Sequence, residues 1–164
     1  MRGAQAGSAS DLEALFRAHW GRAFRAAYLV THDAAAAEDI AQEAFVAAVR
    51  RLHTFDRRRP FAPWLHRIVV NRAIDWTRAR KLRAEAELGD VAVGRQEPGE
   101  PDRLAAAIAA LPEEQRAVIV LRHLLEYTPG EIAELTGLPR GTVNSRLRRG
   151  LDQLAGQLRE EELQ

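Results

Sequence analysis

The sequence predicts an all-α fold: two small helical domains joined by a flexible linker, the C-terminal one a helix-turn-helix. Three observations carry this expectation. Apolar residues recur at spacings of three and four along most of the 164 residues. Helix-opening signals of the form S/T-x-x-E precede two of these runs. One stretch, residues 84–101, interrupts the pattern with glycines, two prolines and five acids (Glu85, Glu87, Asp90, Glu97, Glu100) against a single Arg95.

Taken in order, residues 1–9 are small and polar and are expected to be disordered. Ser10 and Glu13 form a capping box, and Leu12, Leu15, Phe16, Ala23, Ala27 and Tyr28 make the buried stripe of the helix that follows. Thr31-His32-Asp33 breaks the chain, with Asp33 placed to cap a second helix from Ala34 to about Leu52. Its inward face is Ile40, Ala44, Phe45, Ala48, Val49 and Leu52, and its opposite face is acidic: Glu38, Asp39, Gln42 and Glu43. A loop over 53–62 leads to Pro63 in the first turn of a long helix reaching about Arg83, with Trp64, Leu65, Ile68, Val69, Ala73 and Trp76 on one stripe. Residues 10–83 thus form one domain and 84–101 the linker. Residues 102–160 form the second domain, where Leu104, Ile108 and Leu111-Pro112 lead into a helix with Val118, Ile119, Leu121, Leu124 and Leu125. The tail after Leu158 is expected to fray.

The helix-turn-helix lies at 128–147. Thr128, Pro129 and Glu131 open its first helix, Gly137 offers a residue tolerant of positive φ, and Pro139 prevents that helix from continuing. The second helix carries Val143, Leu147, Leu151, Leu154 and Leu158 on an apolar stripe. Its other faces present Arg140, Thr142, Asn144, Ser145, Arg146, Arg148 and Arg149 with no acid among them. An acid-free face of arginines and short hydrogen-bonding residues suits duplex DNA.

Net charge is only +1, but its distribution is uneven. Between Phe55 and Arg83 stand nine cations (Arg57, Arg58, Arg59, Arg67, Arg72, Arg78, Arg80, Lys81, Arg83) against Asp56 and Asp75, a local balance of +7. Phe61 and Asn71 interleave with them, a mixture suited to single-stranded nucleic acid, where cations track phosphates and rings stack on bases. Trp64 and Trp76 lie on the helix's apolar stripe and read as core. Enzyme chemistry finds little support. There is no cysteine, His19, His32, His53, His66 and His123 form no ligand pair at helical spacing, and neither a phosphate loop nor a nucleophile elbow is present. Glu113-Glu114 and Glu160-Glu161-Glu162 read as solvated faces. No cofactor or metal is expected. The N-terminus lacks a hydrophobic signal core and no apolar run approaches a membrane span, so a cytoplasmic protein without membrane insertion is expected.

Two stretches together resemble a known family. FAPWLHRIVVNRAIDWTRARK is similar to the promoter-melting segment of extracytoplasmic-function (ECF) RNA polymerase sigma factors, with its F-x-x-W-L-x-x-I-x-x-N pattern and basic end. EIAELTGLPRGTVNSRLRRGLDQL resembles their minus-35-binding helix-turn-helix, and AAAEDIAQEAFVAAVRRLHTF their polymerase-binding helix. The resemblance implies a sigma factor that joins core RNA polymerase and directs promoter-specific initiation. By that likeness Glu38, Asp39, Gln42 and Glu43 would dock on core polymerase. Arg57, Arg58, Arg59, Phe61, Asn71, Arg72, Arg78, Arg80 and Lys81 would serve the minus-10 element and its melted strand. Arg140, Thr142, Asn144, Ser145, Arg146, Arg148 and Arg149 would serve the minus-35 duplex. It also implies an anti-sigma partner. Pro63 and Asn144 depart from the family pattern, the first where a small or polar residue is usual, the second where a basic one is. The linker's 18 residues reach up to about 60 Å when extended, roughly 17 base pairs of duplex. The competing expectation is a stand-alone helix-turn-helix regulator whose N-terminal half dimerises; burying the +7 segment in a dimer interface would be costly.

Overall fold

The computed structural model describes residues 1–86 and 103–162, and among them only helices, turns and irregular backbone occur. The N-terminal half comprises α1 (Arg2–Gln5), α2 (Ala9–Thr31), α3 (Ala34–Arg51), a 3-10 turn (Leu52–Thr54) and α4 (Phe61–Ala86). Helices α2, α3 and α4 pack on one another. Alanine makes this packing close: Ala23, Ala26, Ala27, Ala37, Ala44 and Ala73 are fully buried beside Leu65, Val69 and Val70. Asp33 caps α3 as expected, its carboxylate accepting from the Ala36 amide at 2.9 Å. Helix α2 ends with His32 in the left-handed region, φ 51°, its amide bonded to the Tyr28 carbonyl.

The second half contains α5 (Arg103–Ala109), α6 (Glu113–Ile119) running into a π-helical turn (Val120–Leu124), α7 (Pro129–Thr136) and α8 (Arg140–Glu162). The capping box of α7 is complete: Thr128 Oγ1 accepts from the Glu131 amide at 3.3 Å while the Glu131 carboxylate accepts from the Thr128 amide at 2.7 Å. Gly137 leaves α7 at φ 71°. Helix α8 lies against α6 at Gly150, where an added Cβ would come within 3.0 Å of Ile119 Cγ1.

The two halves are in contact. One cluster of buried side chains runs through both, with α2 meeting α5, α6 and the π turn, and α4 meeting α6. Hydrogen bonds cross between them, among them Arg116 to the Val30 carbonyl at 2.8 Å and the Tyr127 hydroxyl to the Pro63 carbonyl at 2.8 Å.

Several boundaries differ from expectation. Residues 2–5 form a helix, Ala4 is buried, and the Gln5 amide donates to the Leu52 and Phe55 carbonyls, so tertiary contacts order a segment whose composition is nondescript. The cap of α2 is Ser8, not Ser10, and Glu13 instead pairs with Arg17 at 2.6 Å. Phe16, Val49 and Leu151, expected to face inward, are exposed large hydrophobics. Phe61 already belongs to α4, which continues to Ala86; residues 84–86 of the expected linker are therefore helical, and the rest of that linker, 87–101, lies outside the described residues. Helix α8 extends through Glu162 rather than fraying after Leu158.

Candidate nucleic-acid interface

The second helix of the helix-turn-helix sorts its side chains by angle. At 100° per residue, Val143, Leu147, Gly150 and Leu154 fall within a narrow arc, and all four are buried. Opposite them stand Gly141, Ser145, Arg148 and Arg149, flanked by Thr142 and Asn144. Arg140, Asn144, Arg148 and Arg149 are exposed; Thr142 and Ser145 are partly so. Ser145 donates its hydroxyl to the Thr142 carbonyl at 3.0 Å, which leaves its oxygen free to accept. Arg146 sits at the edge of the buried arc and pairs with Glu114 of α6 at 2.8 Å. The predicted set is therefore one outward surface, with Arg140 exposed in the first turn at one edge of the buried arc and Arg146 turned aside at the other.

The arginine-rich segment divides into three places. Arg57, Arg58 and Arg59 are exposed in the turn before α4. Asp56 builds that turn: its carboxylate accepts from the Arg58 amide at 2.9 Å and its carbonyl from the Arg59 amide at 3.0 Å. Phe61, half-buried, packs on Phe55 and Trp64, with His19 at 5.1 Å. On α4, Asn71, Arg78 and Lys81 share one face and line a cleft of about 780 Å³ shared with α6 and with Arg146. Arg72 and Arg80 lie on the other face: Arg72 pairs with Glu43 at 2.6 Å, and Arg80 stands 3.8 Å from Asp33 with its guanidinium 5.2 Å from the Trp76 ring centre. Trp64 and Trp76 are both half-buried and packed against the core, as their position on the apolar stripe predicts.

Glu38, Asp39, Gln42 and Glu43 are all exposed on α3. Asp39 and Glu43 border a shallow groove of about 430 Å³ with Arg72, Asp75 and Trp76. The acidic face is thus joined to the arginine-rich helix by the Glu43–Arg72 pair.

Three titratable groups outside the predicted set stand out. His66 is 3 % exposed with Nε2 unpartnered, and burial, then the positive charges of Arg22 and His19, pull it down to about 4. Burial likewise lowers Arg116, and raises Tyr127 to about 12 with help from Glu131, so its phenol remains a donor. Their i,i+n spacings match no motif, and only the folded chain marks them. No group of three or more His, Asp or Glu side chains among the described residues is placed to hold a metal ion.

An all-helical chain with an outward basic helix-turn-helix and a separate cationic helix face belongs to the class of nucleic-acid-binding proteins. Residues 15–83 match Sigma-70 region 2 and residues 102–154 match Sigma-70, region 4. The ECF RNA polymerase sigma factor SigW of Bacillus subtilis is 35% identical over 144 residues, covering 76% of this chain and 76% of SigW. Among solved structures, CnrH in complex with the cytosolic domain of CnrY aligns with a TM-score of 0.69 at 28% identity, covering 97% of this chain and 94% of CnrH. The sigma factor RpoE of Bartonella quintana, in complex with the anti-sigma factor NepR, shares the fold with a TM-score of 0.72 at 21% identity, covering 91% and 97%. The chain belongs to the ECF family of RNA polymerase sigma factors, transcription initiation factors that recognise promoters and are not themselves enzymes. No helix among the described residues is long and apolar enough to cross a membrane.

Proposed function

We propose that this chain acts in the cytoplasm as a subunit of RNA polymerase, with its contacts divided by element. Helix α8 reads the minus-35 duplex through Arg140, Thr142, Asn144, Ser145, Arg148 and Arg149, with Arg146 available once released from Glu114. The turn before α4 and the Asn71, Arg78, Lys81 face of α4 hold the minus-10 element and its unpaired strand. Arg72 and Arg80 steady α4 against α3, and the Glu38, Asp39, Gln42, Glu43 face of α3 docks on core polymerase. The observation that carries this division is that α8 and α4 each present cations outward on a face opposite a buried one, and the two faces belong to different halves of the chain. Arginine suits both tasks, pairing with guanine edges in duplex and with phosphates in either form. A protein that captures it in an inactive complex belongs to the same proposal, since the relative CnrH is found bound to a domain of a second protein.

Run-off transcription with purified core polymerase tests the proposal. Addition of the protein is expected to yield discrete transcripts from a subset of a genomic promoter pool. No promoter-specific product on any template would refute it. Retention of operator-like DNA binding alongside that failure would favour the stand-alone regulator.

A further inference from the structure

We propose that Arg116 and Tyr127 form a latch that holds the free protein closed, turning the cationic face of α4 and the acidic N-terminal end of α6 into one cleft. The inference deepens the functional reading above and rests on it for the meaning of that face. Its geometric part stands independently.

Arg116 of α6 joins two helix ends that belong to different halves. One guanidinium nitrogen donates to the Val30 carbonyl, in the last turn of α2, at 2.8 Å. The other donates to the carbonyls of Ala109, the last residue of α5, at 2.7 Å and of Leu111 at 3.0 Å. Carbonyls in a final helical turn lack intrahelical partners, and both ends carry partial negative charge. A single cation therefore satisfies acceptors of both halves at once. Tyr127 supplies the second tie, its hydroxyl reaching the Pro63 carbonyl at the start of α4. Its ring is buried while Pro63 is exposed, so the bond is partly buried at the edge of the contact between the halves.

Closure has a consequence for charge. Asn71, Arg78 and Lys81 on α4 share the cleft with Glu113 and Glu114 of α6. The two carboxylates stand where a nucleic-acid phosphate would have to enter to meet α4 from that side. Glu114 also holds Arg146 of the recognition helix at 2.8 Å. The closed arrangement therefore sets acids against the strand-binding cations, while the Glu114–Arg146 pair lies within the second half and does not depend on closure.

The latch is poised rather than locked. Closing brings Arg116 towards Arg80, whose like charge opposes it, and Asp33 offsets Arg80 only from 3.8 Å. Arg116 Nε is buried without a partner. A competing anion or a polymerase surface that gains from separated halves must overcome these ties together with the apolar contacts between the halves.

Because the chain has no cysteine, spin labels can be placed at Arg50→Cys and Asp152→Cys, exposed positions on α3 and α8 one to two turns beyond the proposed binding residues, in the full-length protein. Double electron–electron resonance is expected to show one narrow distance. Tyr127→Phe, which keeps the ring and removes only the inter-half bond, is expected to raise the open-to-closed ratio about fivefold. Adding Arg116→Gln is expected to raise it at least about tenfold more, since a charged donor is removed. Helical circular dichroism on the same samples separates opening from unfolding, and Tyr127→Phe alone keeps the test valid if the double variant unfolds. Affinity for a single-stranded dT 20-mer should rise by the same factor as opening. A broad distance distribution in the unsubstituted chain, or distances unmoved in folded variants, would overturn the latch, and opening without tighter dT binding would overturn the masking of the α4 face. None of these readouts involves polymerase, so a failure of run-off transcription would sink the functional reading and leave the latch standing.

Discussion

At the scale of single residues, charge alone does not say what an arginine does. The candidates on α8 differ in direction: Arg148 and Arg149 point to solvent, whereas Arg146 lies beside the buried arc and pairs with Glu114. Replacing Arg148 and Arg149 together with alanine is expected to weaken duplex promoter binding by about 1–3 kcal/mol for each arginine that pairs with a base edge. The salt dependence should become shallower by about one unit for each arginine that neutralises a phosphate. Arg146→Ala should cost less, because its guanidinium is held by Glu114 at the edge of the buried arc and is not directed outward with Arg148 and Arg149. Titrating labelled promoter duplex against each variant at two salt concentrations checks the order; an Arg146→Ala defect equal to that of the pair would contradict this geometry. The same lesson applies on α4, where Arg72 and Arg80 are engaged with α3 while Arg78 and Lys81 face the cleft.

At the scale of elements, the helix-turn-helix depends on local signals that act on the backbone. The Thr128–Glu131 box satisfies two amides that α7 would otherwise leave open, and hydrogen bonds from Thr128 lower the Glu131 carboxyl below its usual range. Thr128→Ala is expected to cost about 1 kcal/mol, lowering the melting midpoint by roughly 2–4 °C, while leaving the outward face of α8 intact. Thermal melts monitored by circular dichroism read the first effect, and duplex binding well below the midpoint reads the second. These elements were legible because their chemistry is contained within four to eight residues: a hydroxyl, a carboxylate three places on, a glycine at the exit. Asp33 was legible for the same reason. Ser10 misled, since Ser8 and Ser10 both precede α2, and the contact of α1 with the 3-10 turn sets where the helix opens.

For the whole molecule, the balance between halves and the titration of the buried His66 become the relevant quantities. His66 is kept neutral in the folded chain down to about pH 4, whereas an unfolded histidine takes up its proton near 6.5. Between those values the unfolded state binds more protons, so stability is full above about pH 6.5 and falls as the pH drops towards 4. One such group changes it by at most about 1.4 kcal/mol per pH unit. His19 and His32 are lowered in the same direction, mainly by burial, and add to the slope. Urea midpoints at pH 7.5 and 4.5 should therefore diverge for the unsubstituted chain and diverge less for His66→Leu; an unchanged difference would mean that His66 is not the group responsible.

By itself the sequence determined the all-helical class, the order of the long helices, the helix-turn-helix with its cap and glycine exit, and the family. Each is written in short-range periodicity or in motifs of fixed spacing. Tertiary structure decided which faces are free. It placed Arg146 against Glu114, turned Arg72 and Arg80 towards α3, and brought Gly150 close to Ile119. It also exposed Phe16 and Val49 and joined the halves through Arg116 and Tyr127. The physical reason is range. A cap or an apolar stripe is settled by neighbours along the chain, whereas the partner of a guanidinium or a phenol is settled by whatever the packing of distant helices brings within about 3 Å. Val30 and Arg116 are 86 residues apart, and no local pattern records that they meet.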